Sequence, residues 1–199
     1  MIIEPIQLNG DYIRLEPLSI DDHLEDLQTA GAHSETFRWF PEDRSSPEAI
    51  REFVDAALDA KERQTALPFA TVLQETGEAI GSTRFGNIVP EHRRVEIGWT
   101  WLTPSQQSTP ANTEAKYLML THAFEEWDCV RVELKTDSRN QRSRDAIERI
   151  GATEEGTLRH HLQTHQGPRD TVYFSILEDE WVEVKRDLER KLERTYTDQ

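Results

Sequence analysis

The sequence predicts an α/β fold of the α+β kind, in which hairpin strands and one helical crossover share a sheet. Three stretches carry that prediction. Gln106 to Gly151 runs polar loop, helix with a wide apolar side (Thr113 to Trp127), strand (Val130 to Thr136) and short helix, the order of a crossover unit. Before it, Phe69 to Gln74 and Ala79 to Ile88 alternate on either side of Thr76-Gly77-Glu78, a short glycine-containing turn of the hairpin kind. After it, Gly156 to Leu162 and Thr171 to Leu177 repeat that pattern around His165-Gln166-Gly167-Pro168.

The remaining elements follow in chain order. Tyr12 to Leu18 alternates and meets Pro17, which ends a first strand. Asp21 and Asp22 are capping candidates for a short helix with Ile20, Leu24 and Leu27 on one face and Gly31 as its stop. Trp39, Phe40 and Pro41 fall in an irregular segment. Ser46 as cap, Pro47 at the first position and Glu48 then open a second helix that buries Ile50, Phe53, Val54, Ala57 and Leu58, with Ser45 as a competing register. Pro90 to Arg94 makes a charged turn into a third strand of the central run, Val95 to Leu102. The chain closes on a charged helix over about 179–194, where Trp181, Val184, Leu188 and Leu192 form the apolar stripe.

At 199 residues the chain fits one domain, residues 1–199. Its 38 acidic against 23 basic residues give a net charge of -15, which repels a nucleic-acid backbone and favours a cationic partner. Acidic solubility and adaptation to high salt explain that charge equally well. One cysteine, Cys129, excludes an intramolecular disulfide, and no Cys/His grouping has metal-ligand spacing, so no metal is expected. Met1-Ile2-Ile3 runs straight into Glu4 and Pro5, and no apolar run approaches the roughly 20 residues of a membrane span. A cytoplasmic protein without membrane partner is expected, and a homodimer is left open.

A polar loop that opens a helix directly after an aromatic-rich strand is suited to phosphate, because free N–H groups and the positive dipole end meet there. The motifs around it are more specific. Glu96-Ile97-Gly98-Trp99-Thr100-Trp101-Leu102 resembles the Glu-Ile-Gly-Tyr-x-Leu strand of the GNAT superfamily of N-acetyltransferases. Asn112-Thr113-Glu114-Ala115 resembles the start of that family's cofactor helix. Arg131-Val132-Glu133-Leu134, Asn140-x-x-Ser143-Arg144, and Ile150-Gly151-Ala152 with Glu155-Gly156-x-Leu158-Arg159 follow in family order. From Leu8 to about Trp181 the chain is similar to the branch of ribosomal-protein N-terminal acetyltransferases. The resemblance implies the GNAT fold, a mixed and mostly antiparallel central sheet flanked by helices in the order β-α-α-β-β-β-α-β-α-β-β plus a C-terminal helix.

It also implies acetyl-coenzyme A as the cofactor, held by Trp101, Leu102, Thr103, Gln107, Ser108, Thr109, Ala111, Asn112, Thr113, Asn140 and Ser143. Two positions depart from the family pattern. The phosphate loop has Pro110 and Asn112 where small residues are usual, and Ile147 stands where many members carry a general-acid tyrosine.

Acetyl transfer to an amine needs a neutral amine, stabilisation of the attacked carbonyl and a proton for the departing thiolate. By resemblance Ser143 donates that proton; its own helix face, shared with Ala146, Ile147 and Ile150, points it inward. Asn140 or Ser143 also suits a helix cap. Glu96 is a candidate base, and strand alternation places it with Gly98, Thr100 and Leu102, away from the two tryptophans. His160 and His161 offer a second; adjacent strand residues point oppositely, so at most one of them faces the cleft, and His161 is the one named as a candidate. His122 belongs to a core stripe, and Tyr173 is a reserve proton donor of core character. Trp39 and Phe40 are expected at the acceptor pocket. The predicted function is direct acetyl transfer from acetyl-coenzyme A to a primary amine, such as a peptide N-terminus. A small-molecule amine and a non-catalytic coenzyme-binding module are the alternatives.

Overall fold

The computed structural model describes residues 1–197. The chain forms β1 (Leu8–Asn9), β2 (Ile13–Pro17), α1 (Ile20–Ala30), α2 (Pro47–Glu62), β3 (Leu67–Leu73), β4 (Ala79–Val89), β5 (Arg94–Leu102), α3 (Pro110–Thr121), β6 (Arg131–Asp137), α4 (Gln141–Arg149), β7 (Thr153–Thr164), β8 (Gly167–Leu177) and α5 (Trp181–Thr197). The strands make one sheet in the order β1-β2-β3-β4-β5-β6-β8-β7. Every neighbouring pair is antiparallel except β5 with β6. That exception follows from the connection: parallel neighbours need a crossover, and α3 supplies it.

The sheet is covered on both faces. On one, α3 and α5 pack Met119, Leu120, Val184 and Leu188 over Ile13, Phe69, Phe85, Val95 and Ile97. On the other, Leu27 of α1 and Phe53, Val54 and Ala57 of α2 cover Ala70, Val72, Ala79 and Trp101. Residues of β3 enter the two layers alternately, and the strand is buried from Leu67 to Val72 because both of its faces are covered.

The predicted elements are all present, with ends moved by a few residues. The two-residue β1 is too short to leave a pattern in the sequence. Ser19, not Asp21 or Asp22, caps α1 by accepting from the Asp22 amide at 3.3 Å. Ser46 caps α2 with Pro47 at the first position, as expected. The crossover helix starts at Pro110, three residues before the apolar pattern begins, because Thr109 caps it and proline suits a first helical position. It widens into a π turn over His122–Glu126, where the Trp127 amide reaches back to the His122 carbonyl.

Two ionisable side chains lock α3 to the sheet. Glu114 is buried, and its carboxylate accepts from the amides of Asp11, Tyr12 and Ile13 at 2.7, 2.9 and 2.7 Å. It fixes the turn between β1 and β2 on the helix. Lys116 is also buried, with Nζ donating to the Thr100 hydroxyl at 2.7 Å and lying 3.5 Å from that of Thr83. Burial disfavours the ammonium and lowers its pKa from 10.5 to about 7.

Glu114→Gln places an amide against backbone donors, and we expect it to lower the unfolding free energy by about 2–3 kcal/mol in a urea melt, with the m-value unchanged. Lys116 gives a pH signature. Between about 7 and the unfolded lysine value near 10.4, the unfolded chain holds a proton that the folded chain lacks, so stability rises with pH across that window. Lys116→Met removes this contribution. The melting temperature of the variant is therefore expected to exceed that of the parent most at pH 6–7, and the excess to shrink towards pH 10; parallel curves contradict it.

Candidate active site

Pairing between β5 and β6 lasts three residues: Arg94 with Arg131, Val95 with Val132 and Glu96 with Glu133. Beyond them the strands part, so the β6-facing backbone edge of Ile97 to Leu102 has no strand partner. A bulge accompanies the parting. Against β4, Arg84 pairs with Gly98 and Ser82 with Trp101, so Trp99 and Thr100 together oppose Thr83. Trp99 carries the distortion with φ at 51°. Gly86 makes room for its ring, since a Cβ there would lie 2.3 Å from it.

The bulge corrects the expected face of Glu96. Thr100 bonds Lys116 of α3, and Leu102 packs in the α3 layer. Glu96 instead meets the Lys135 ammonium at 2.9 Å, and the same ammonium lies 5.7 Å from the Trp99 ring. Glu96 therefore shares the side of both tryptophans. Simple alternation fails because one extra residue, in a backbone conformation that tryptophan rarely adopts, resets the phase. Asn87 Nδ2 completes the cage at 2.6 Å, and the carboxylate pairs with Lys135 rather than with Arg93 or Arg94.

Above the parted strands lies the first turn of α3. A helix start leaves four N–H groups without helical partners, here those of residues 109 to 112. Pro110 has none and Ala111 donates to the Thr109 hydroxyl, which leaves Thr109 and Asn112. Positive φ is needed in this loop at Ser108, at 66°, and not at Pro110 or Asn112. The missing glycines are thus accommodated. Gln107 Nε2 donates to the Leu102 carbonyl at 3.0 Å and ties the loop to the end of β5, while the Thr103 amide is committed to the Ile80 carbonyl at 2.8 Å.

Two arginines of α4 reach this entrance. Arg142 donates to Gln107 Oε1 and to the Ser108 hydroxyl, and Arg149 donates to the Thr113 hydroxyl at 3.0 Å. The sequence gives no signal for either, because both lie outside the apolar side of α4 that periodicity picks out. Asn140 caps α4, its Oδ1 accepting from the Ser143 amide at 3.2 Å. Ser143 is half-buried in the first turn beside buried Ile147 and Ile150. Trp101 buries its indole against Phe37 and Phe53, at 5.2 and 6.4 Å between ring centres, so its side chain belongs to the α1/α2 layer.

Glu96 and Tyr173 line a cavity of about 450 Å³ together with Thr65, Asn87, Arg94 and Glu133. Tyr173 is half-buried there rather than in the core. A second bulge, in β7, gives His160 a φ of 50° and points its amide at Asp170, while the His161 ring turns onto Tyr173 at 5.8 Å. Nδ1 of His161 is enclosed without a partner. Trp39 faces this side too: the Arg139 guanidinium lies 5.3 Å from its ring, and its carbonyl accepts from Arg169 at 3.2 Å. Phe40 packs on Phe37 and Phe53 at the margin of the α2 layer. His122 packs between Phe85 and Trp127 as a core residue. Cys129 is buried, its thiol pushed up to about 11 by desolvation.

Residues 13–153 match the family model for the acetyltransferase (GNAT) domain. A curated relative, "Putative ribosomal N-acetyltransferase YdaF" of Bacillus subtilis, is 34% identical over 105 residues, 53% of this chain and 57% of that protein. The match thus spans little more than half of that relative. A crystal structure of a GCN5-related N-acetyltransferase from Brucella melitensis superposes with a TM-score of 0.88 at 30% identity, covering 95% of this chain and 86% of that one. Mycobacterium smegmatis RimJ in complex with CoA-disulfide shares the fold, with a TM-score of 0.78 at 21% identity over 94% of this chain and 93% of its own. With the family model covering most of its length, the chain belongs to the GNAT acetyltransferase family.

Proposed function

We propose that this protein moves an acetyl group from acetyl-coenzyme A to a primary amine, and that the amine is a peptide N-terminus. One observation carries the reading: an unpaired strand edge, Ile97 to Leu102, runs directly up to a helix start that offers free amides and an arginine. The residues present fit the donor substrate. Thr109 and Asn112 amides, the Ser108 and Thr113 hydroxyls and Arg142 suit a diphosphate, with Gln107 and Ala111 holding the turn in shape. The free backbone edge near Trp101 and Leu102 suits the amides of an extended pantetheine arm. Asn140 keeps its Nδ2 for the same arm, since its cap uses only Oδ1.

The bound thioester supplies an activated acyl carbon; the chain's residues position it and manage protons. Free N–H groups beside the Trp99 bulge stabilise the oxygen on which charge develops. Ser143, with its amide engaged by the cap and its hydroxyl unengaged among the described hydrogen bonds, donates to the departing thiolate. Glu96 takes the amine proton through Oε1, the oxygen that Asn87 and Lys135 leave free. Because an N-terminal amine has a pKa near 8, about a tenth is already neutral at pH 7 and a modest base suffices. Tyr173 and His161 line the acceptor side, with Trp39 closing it. The name of the Bacillus subtilis relative, which speaks of the ribosome, supports a protein N-terminus as the acceptor.

The test is thiol release from acetyl-coenzyme A with short peptides, polyamines and aminoglycosides offered in parallel, and mass spectrometry to locate the acetyl group. Peptides acetylated at the α-amine are expected; stabilisation by acetyl-coenzyme A without thiol release from any amine leaves a binding module. Ser143→Ala is expected to lower kcat by about tenfold or more with little change in the KM for acetyl-coenzyme A. Arg142→Ala is expected to do the reverse, raising that KM by about tenfold with kcat largely kept.

A further inference from the structure

On the face of the sheet that carries Trp99, Glu96 is paired with Lys135 at 2.9 Å and Asp137 with Arg139 at 2.7 Å. Of the other cations on that face, Arg84 on β4 and Arg169 on β8 are in no ion pair among the described residues. Both are more than nine-tenths buried, at 6% and 7% exposure. Arg169 directs donors to the Thr171 hydroxyl and the Trp39 carbonyl, each at 3.2 Å. Arg84 has no such partners. Its guanidinium lies between the Phe53 ring at 4.7 Å and the Trp99 ring at 5.0 Å, and its Nε is enclosed without an acceptor.

Packing does not explain an arginine in that place. Aromatic faces attract the charge but accept none of its five N–H groups in line, and an unbranched apolar side chain would fill the gap without desolvating a cation. Burial opposes the charge strongly enough to bring the pKa of Arg84 down to about 10. A carboxylate bound to the guanidinium fork removes both penalties at once. The position is also telling, because Trp99 is the bulge residue where β5 leaves β6, and Lys135, 5.7 Å from the same ring, joins it to Glu96.

Resting on the acetyl-transfer reading above, we infer that the acceptor amine comes attached to a carboxylate, and that Arg84 binds it. Two sources share that chemistry: a peptide N-terminus with an acidic residue close behind it, and a free amino acid. The acceptor's preference then opposes the net charge of the chain, since Arg84, buried between two rings, has no carboxylate partner among the described residues.

C-terminally amidated tripeptides Ser-Glu-Ala and Ser-Gln-Ala, with free glutamate, separate the possibilities. The parent is expected to show a kcat/KM about tenfold or more higher for the acidic peptide, through KM. In Arg84→Met that ratio is expected to fall to near one, and in Arg84→Lys, which keeps the charge, to persist in part. A parent that uses both peptides equally overturns the inference, as does Arg84→Met if it slows both peptides equally with the ratio intact. Better turnover of free glutamate than of the peptide assigns the site to small amino acids. Calorimetry with the N-acetylated peptides in the presence of coenzyme A reads the same contact without catalysis. Selective binding of the acidic product, lost in Arg84→Met, with no thiol released from any amine, strikes the proposed activity alone; equal binding of both products strikes the role of Arg84.

Discussion

The short pairing between β5 and β6 is the constraint on which the rest of the molecule depends. Parallel strands cannot be joined by a tight turn, so the chain must climb from the end of β5, cross as α3 and descend into β6. That route puts a helix start, with its unfilled amides, at the end of the strand it has just left. Because pairing is lost after Glu96 and Glu133, the start of α3 stands over an opening rather than over a closed sheet. Phosphate-binding capacity and an unpaired strand edge are consequences of one topological step.

Keeping the strands apart requires support that ordinary ladder bonds do not give. The bulge at Trp99 is held from both faces: Gly86 admits the indole on one, and the hydroxyls of Thr83 and Thr100 meet Lys116 on the other. An ammonium enclosed beneath a sheet is destabilising by itself, yet here it spans two strands that the bulge has put out of phase. Glu114, two residues earlier in α3 and so on another side of the helix, anchors it to the β1–β2 turn. Stability is thus invested in the placement of α3, and the burial of both charges is the local cost of fixing where that helix begins.

Much of this was legible in the sequence because it depends on periodicity and on turn chemistry. The Thr76-Gly77-Glu78 hairpin, the Ser46-Pro47 helix start and the crossover order each have a local cause within a few residues. The cap at Asn140 and the inward face of Ser143 were also readable, since both follow from helix geometry. What escaped was non-local. A positive φ at Trp99 or His160 has no signature in residue type, and it moved Glu96 to the face of the tryptophans. Nothing local in the sequence marks Arg142, Arg149 or Arg84, for only the packing of α4 on the loop and of α2 on β4 reveals where they end. The phosphate loop departs from the family pattern at Pro110 and Asn112, yet the residue there that takes positive φ is Ser108, which composition does not single out.

The contrast between the chain and its cleft follows from the range of electrostatics. A net charge of -15 acts over the whole surface but is screened beyond roughly 8–10 Å at physiological ionic strength. Inside the cleft, contacts a few ångströms long between partly desolvated groups outweigh it, because screening ions cannot enter and the local dielectric is low. Lys135 and Arg139 neutralise Glu96 and Asp137, which leaves Arg84 as the cation beside the Trp99 ring with no carboxylate partner among the described residues. Distant charge therefore governs which molecules collect near the protein, whereas short-range contacts such as the one inferred for Arg84 would govern which of them is held beside the bulge.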